Sequence, residues 1–71
     1  MPKVKWSPIL EMEDDNGNIT SYFTEIKGEI FFITQQSDGL WAIEDWDINT
    51  LKGGLKNLTS AKRYFSRYIK S

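Results

Sequence analysis

The stretch Leu58 to Ile69, LTSAKRYFSRYI, constrains the fold of this chain more than any other. At about 100° per residue, Leu58, Ala61, Tyr64, Phe65, Tyr68 and Ile69 fall within one arc of roughly 140°. Lys62, Arg63, Ser66, Arg67 and Lys70 fill the opposite side. The spacing predicts an amphipathic helix over about 59–70, with Thr59, just ahead of the periodic run, read as its N-cap. Its cations lie toward the C-terminal end, where the helix dipole favours positive charge. A helix of about a dozen residues is marginal alone in water. It demands an apolar surface, and the preceding chain must supply it.

That preceding chain reads as strands. Val4, Trp6, Pro8, Leu10 and Met12 alternate with mostly polar neighbours and predict a strand over about 3–13. Pro8 cannot donate to a ladder, which places this strand at an edge or breaks its pairing there. Asp14-Asp15-Asn16-Gly17-Asn18 is a turn, with Asn16-Gly17 suited to positive φ. Ile19 to Ile26, rich in β-branched and aromatic residues, predicts a second strand over 19–26. Lys27-Gly28 turns, and the apolar run around Phe31 and Phe32 predicts a third strand over 29–35. Gln36 to Gly39 turns again into a fourth, 40–44. Between Asp45 and Leu58 the pattern weakens: Asp47 or Asn49 could cap a short helical turn through Ile48–Leu51, with Gly53-Gly54 breaking it. The expectation is one α+β domain over 1–71: an antiparallel meander of about four strands with one C-terminal helix packed on one face.

Composition narrows the function. The chain has no Cys and no His. This removes disulfides, thiolate metal sites and the commonest general base and metal ligand. What remains for catalysis is carboxylate, Lys, Tyr or Ser/Thr chemistry, and no such arrangement stands out, so the chain is read as non-enzymatic and without a cofactor. The clustered acids Glu11, Glu13, Asp14 and Asp15 lead into a turn, and turn composition accounts for them. Asp14, Asn16 and Asn18 resemble the start of a calcium-binding EF-hand loop. Glu25 stands near the required twelfth position with only a strand between, and no helices flank it, so no metal is expected. Gly53-Gly54 before Lys56 lacks the spacing of a phosphate loop. MPKVKWSPIL has no long apolar core of a signal peptide, and no apolar run reaches membrane-spanning length, which leads to an expectation of a cytoplasmic protein without membrane contact.

The net charge of −1 hides a split. Residues 1–47 carry three Lys against all ten acids, a balance of −7, while residues 48–71 carry six cations and no acid, +6. Two candidate surfaces follow. Glu44, Asp45, Trp46 and Asp47 set a Trp among acids, an anchor for a protein partner of basic character, unless Trp46 folds under the helix and covers the end of the sheet. Lys52, Lys56, Lys62, Arg63, Arg67 and Lys70 form the alternative: a basic face for weak, salt-sensitive nucleic-acid binding, or simply a solvated helix face. Trp6, Trp41 and Trp46 could stack on bases or serve in packing. An exposed sheet edge leaves a homodimer open.

The run Gly39-Leu40-Trp41-Ala42-Ile43-Glu44-Asp45, followed by Leu58-Thr59-Ser60-Ala61-Lys62-Arg63-Tyr64, resembles a pattern in small proteins of bacteriophages and prophages of Gram-positive bacteria. There a "G-x-W-x-V" strand precedes a "T-L-T-x-A-K" helix start. The strand–Thr–Ala–Lys pattern also looks like the three-stranded arm-binding domains of phage integrases, which insert a sheet into the DNA major groove. This chain departs from those domains, with Glu25, Glu29, Asp38 and Glu44 where a DNA-reading sheet wants Lys and Arg. The resemblance therefore implies a non-enzymatic accessory; the missing catalytic residue types, the small size and the charge split lead to the expectation of a phage- or prophage-type protein that binds an unidentified host or phage protein.

Overall fold

The computed structural model describes residues 4–70. Five strands form one antiparallel sheet in sequence order, β1 (Ser7–Pro8), β2 (Ser21–Ile26), β3 (Glu29–Gln35), β4 (Trp41–Asp45) and β5 (Thr50–Leu55), and one helix follows, α1 (Leu58–Lys70). This is the α+β meander with a C-terminal helix on one face, with five strands instead of about four. None of the described helices is long and apolar enough to cross a membrane.

Strand register decides which side chains meet the helix. Tyr22 pairs with Ile33, and Ile33 with Ile43, so these residues share the covered face with Phe31, Trp41 and Ile26. Phe65 and Ala61 of α1 lie on that face, and Phe65, Ile33 and Ile43 are the largest side chains fully removed from solvent. The ring of Phe65 meets Phe31 at 4.9 Å and the edge of Trp6 at 5.1 Å. Trp6 and Val4 thus fill the space beside the helix, over β2. Buried Thr24 anchors them, its hydroxyl donating to the Lys5 carbonyl at 2.7 Å.

The helix begins one residue earlier than the spacing predicts, and its cap differs. The Asn57 side-chain oxygen accepts the Ser60 backbone N–H at 2.8 Å, so Asn57 is the N-cap, and Thr59 lies inside the first turn.

The first strand is much shorter than the expected 3–13, of which Lys3 lies outside the described residues. The ladder holds Ser7–Phe23 and Pro8–Tyr22, and pairing resumes further on only as an isolated bridge, Glu13–Ile19, with Thr20 N–H donating to the Met12 carbonyl at 2.8 Å. Pro8 has no N–H to give. Beyond it Ile9 donates once to Ser21, and then Met12 N–H donates back to the Ile9 carbonyl, closing a turn. That turn carries Leu10 and Met12 out to solvent, away from the core face that their alternation implied.

In place of the expected helical turn at Ile48–Leu51 stand the end of a hairpin turn, Asp45–Asn49, and the start of β5. Trp41 pairs with Leu55, Ile43 with Lys52 and Glu44 with Thr50, so six residues of β5 span four of β4 through two bulges. The bulges place Leu51 and Leu55 against the core, and Gly53-Gly54 lie within the strand instead of breaking it. Bulges and a lysine blunt this outer edge against pairing with another chain.

Three hairpin turns share one geometry. In Asp14–Asn18, Gln36–Leu40 and Asp45–Asn49 the first N–H donates to the fifth carbonyl at 2.7–3.1 Å, and the fourth N–H donates to the first carbonyl at 2.9–3.0 Å. The two that start with Asp and end with Asn match further: the Asn backbone N–H meets the Asp Oδ1 at 2.9 Å in both. These bonds, chiefly that from Asn18, hold the Asp14 carboxyl below the usual aspartate range. A depressed folded pKa contributes stability that is present above the unfolded value of about 3.9 and is lost as pH falls through the folded one. Asp14→Asn is therefore expected to lower the thermal midpoint at neutral pH. Its difference from wild type should close as pH drops below about 4, and parallel melts across that range check this.

Candidate functional site

The fourth residue of each turn must adopt positive φ. It is Gly17 (φ 80°) and Gly39 (φ 85°) in two of them, and Ile48 (φ 65°) in the third. A β-branched residue there is strained by roughly 1–2 kcal/mol. Ile48 gains nothing from burial in exchange, being 76% exposed. Strain of this kind is characteristic of functional positions. Ile48→Gly is expected to raise stability by about 0.5–1 kcal/mol, the relief exceeding the entropy cost of glycine, as a denaturant melt would show.

Two residues earlier in the same turn, Trp46 is 66% exposed. Its ring stacks on Phe32 at 6.0 Å with planes 25° apart. Phe32 points away from α1, since its neighbours Phe31 and Ile33 are the residues buried against it. Trp46 therefore lies on the uncovered face and does not fold under the helix. Register extends this face. Phe23 pairs with Phe32, Phe32 with Glu44, and Glu25 with Ile30. The uncovered face thus carries an aromatic centre, Phe23, Phe32 and Trp46, edged by Glu25 and Glu44.

The turn also forms one wall of a groove of about 410 Å³ at the end of the sheet. Gly28 of the β2–β3 turn and Glu29, the first residue of β3, form the facing wall, and Tyr68 in the last helical turn closes it. Of the four acidic-surface residues, Asp45, Trp46 and Asp47 line this groove. Glu44 lies one position back, on the open sheet beside Phe32. Asp45 is occupied by the turn itself, with Oδ1 accepting from the Asn49 backbone and Oδ2 3.4 Å from Asn49 Nδ2. Among the described residues no group of three Asp or Glu converges as metal ligands do. Asp14 spends its carboxylate on the Asn16 and Asn18 backbone N–H groups.

The basic residues are less concentrated. Thr59, Lys62, Arg63, Ser66 and Arg67 line a shallow depression on the outer face of α1. Lys62 Nζ lies 5.7 Å from the Tyr22 ring centre and Lys52 Nζ 5.8 Å from that of Tyr64. Lys56 is exposed just before the helix, and the side chain of Lys70 lies outside the described structure. Trp41 is buried in the core and Trp6 is partly buried against it, which leaves Trp46 as the exposed one of the three.

Ile48, Phe32, Glu29 and Tyr68 are the functional candidates that the sequence reading missed. The recurring Asp-x-x-x-Asn spacing, with Gly in one copy and Ile in the other, was the available signal for Ile48. No protein-family model matches the chain, and neither the curated proteins nor the solved structures compared with it give a match.

Proposed function

We propose that this chain is a non-enzymatic phage- or prophage-type accessory protein of the cytoplasm that acts by binding another protein through the turn Asp45–Asn49. The observation carrying this reading is the exposed pair Trp46 and Ile48, the latter in a backbone conformation that two sister turns give to glycine. An exposed Trp beside an aliphatic neighbour is a typical energetic centre of an interface. Glu44, Asp45 and Asp47 would steer a basic partner toward it. The resemblance carried by Gly39–Asp45 and Leu58–Tyr64 supports the accessory role, and the absence of Cys and His supports a non-enzymatic one. The test is affinity capture from a nuclease-treated Gram-positive lysate. A partner retained by wild type and by Arg63→Glu/Arg67→Glu, and lost from Trp46→Ala, is expected. No specific partner, or one insensitive to Trp46, would count against the reading.

The depression lined by Lys62, Arg63 and Arg67 with two hydroxyls favours a second reading, weak nucleic-acid binding. That reading expects association with labelled DNA or RNA at about 50 mM salt that weakens steeply as salt rises and disappears in Arg63→Glu/Arg67→Glu. Binding unchanged in the double variant would remove the basic face from consideration.

A further inference from the structure

The groove at the sheet end has a chemistry of its own. Among the described residues its lining includes three acids, Glu29, Asp45 and Asp47, and three aromatic residues, Phe31, Trp46 and Tyr68, and no Lys or Arg. Lys27 faces the neighbouring depression instead. Asp45 is held by its own turn, which leaves Glu29 on one wall and Asp47 on the other as the acceptors for an incoming group. The acids do not converge on a point, so a small metal ion does not fit them. A cation that is itself extended and flat does. Tyr68 adds a second exposed ring, 44% accessible and stacked on Phe65, which fixes its plane. The last carbonyls of α1, beside Tyr68, contribute partial negative charge.

We infer that this groove receives an arginine side chain from a basic segment of the partner protein, an inference that rests on the protein-binding reading above. A guanidinium stacks on aromatic faces and donates in several directions at once, so it can lie against Trp46 and reach carboxylates on both walls. An ammonium is a strongly hydrated point charge and uses such walls poorly. Complementarity selects this occupant: an acidic and aromatic lining with no competing cation among the described residues.

The test uses the full chain with blocked hexa-arginine, hexa-lysine and hexa-glutamate peptides, read by NMR at about 50 mM salt, where screening is modest. Hexa-arginine should shift the Trp46 indole and Tyr68 ring signals saturably, and hexa-lysine should bind several-fold more weakly. The variant Glu29→Gln/Asp47→Asn should weaken hexa-arginine by about tenfold while its thermal midpoint stays put, since both carboxylates are solvent-facing. Absence of those shifts, equal binding of the two cationic peptides, or indifference to the double variant would overturn the inference. Where hexa-arginine avoids the groove but Trp46-dependent capture of a protein persists, the inference alone falls. Where capture also ignores Trp46, the protein-binding reading falls with it.

Discussion

Phe65→Ala is expected to remove a large part of the stability of this domain. Truncating a fully buried Phe costs about 3–5 kcal/mol, from lost transfer energy and from the cavity left behind. A chain of 71 residues holds roughly 4–10 kcal/mol in all. Phe65 has no substitute, because it joins three parts of the structure: Phe31 of β3 at 4.9 Å, Trp6 of the N-terminal segment at 5.1 Å and Tyr68 of its own helix at 6.0 Å. With Phe65 gone, the helix loses the contact that docks it, and a helix of this length does not persist undocked. Thermal melts followed by circular dichroism should show the midpoint falling by at least about 12 °C. Phe65→Leu, which keeps most of the volume, should lose about 1.5 kcal/mol or less. A midpoint for Phe65→Ala within a few degrees of wild type would mean that α1 is not held as described.

Trp46→Ala should behave in the opposite way. Trp46 is 66% exposed and stacks on the outward ring of Phe32, a contact worth about 0.5–1.5 kcal/mol beyond its area. The fold should survive with a small drop in midpoint. Partner affinity should fall by roughly thirtyfold or more, the loss typical of a central interface Trp. Isothermal titration with the captured partner measures this. An affinity within about threefold of wild type would demote Trp46 to a bystander. The contrast between the two aromatics follows from position alone: one is enclosed between sheet and helix, the other held out on a turn.

Much of this architecture was legible in the sequence. The helix emerged because its apolar positions keep a strict helical period, and β2, β3 and β4 emerged because β-branched and aromatic runs are bounded by Lys27-Gly28 and Gln36–Gly39. What escaped was structure without a period. Thr50–Leu55 contains two bulges and two glycines, so alternation fails within it, and a strand without alternation reads as a loop. Ser7–Met12 had alternation that Pro8 and the Ile9–Met12 turn defeat. Thr59 looked like a cap, but Asn57 sits where its oxygen meets the third helical N–H. At the site, Trp46 among its acids was visible, whereas Glu29 and Tyr68 come to it only through tertiary placement. Ile48 was hidden because positive φ cannot be read from a residue that ordinarily avoids it.

On the proposed protein-binding reading, the Asp45–Asn49 turn keeps a strained isoleucine beside an exposed tryptophan in order to bind. Ile48→Gly tests it in one protein with two readouts: the chemical-denaturation midpoint and capture of the partner. A more stable domain that captures its partner several-fold less well is expected. A more stable domain with undiminished capture would contradict it, because the strain would then be retained for nothing that the turn does.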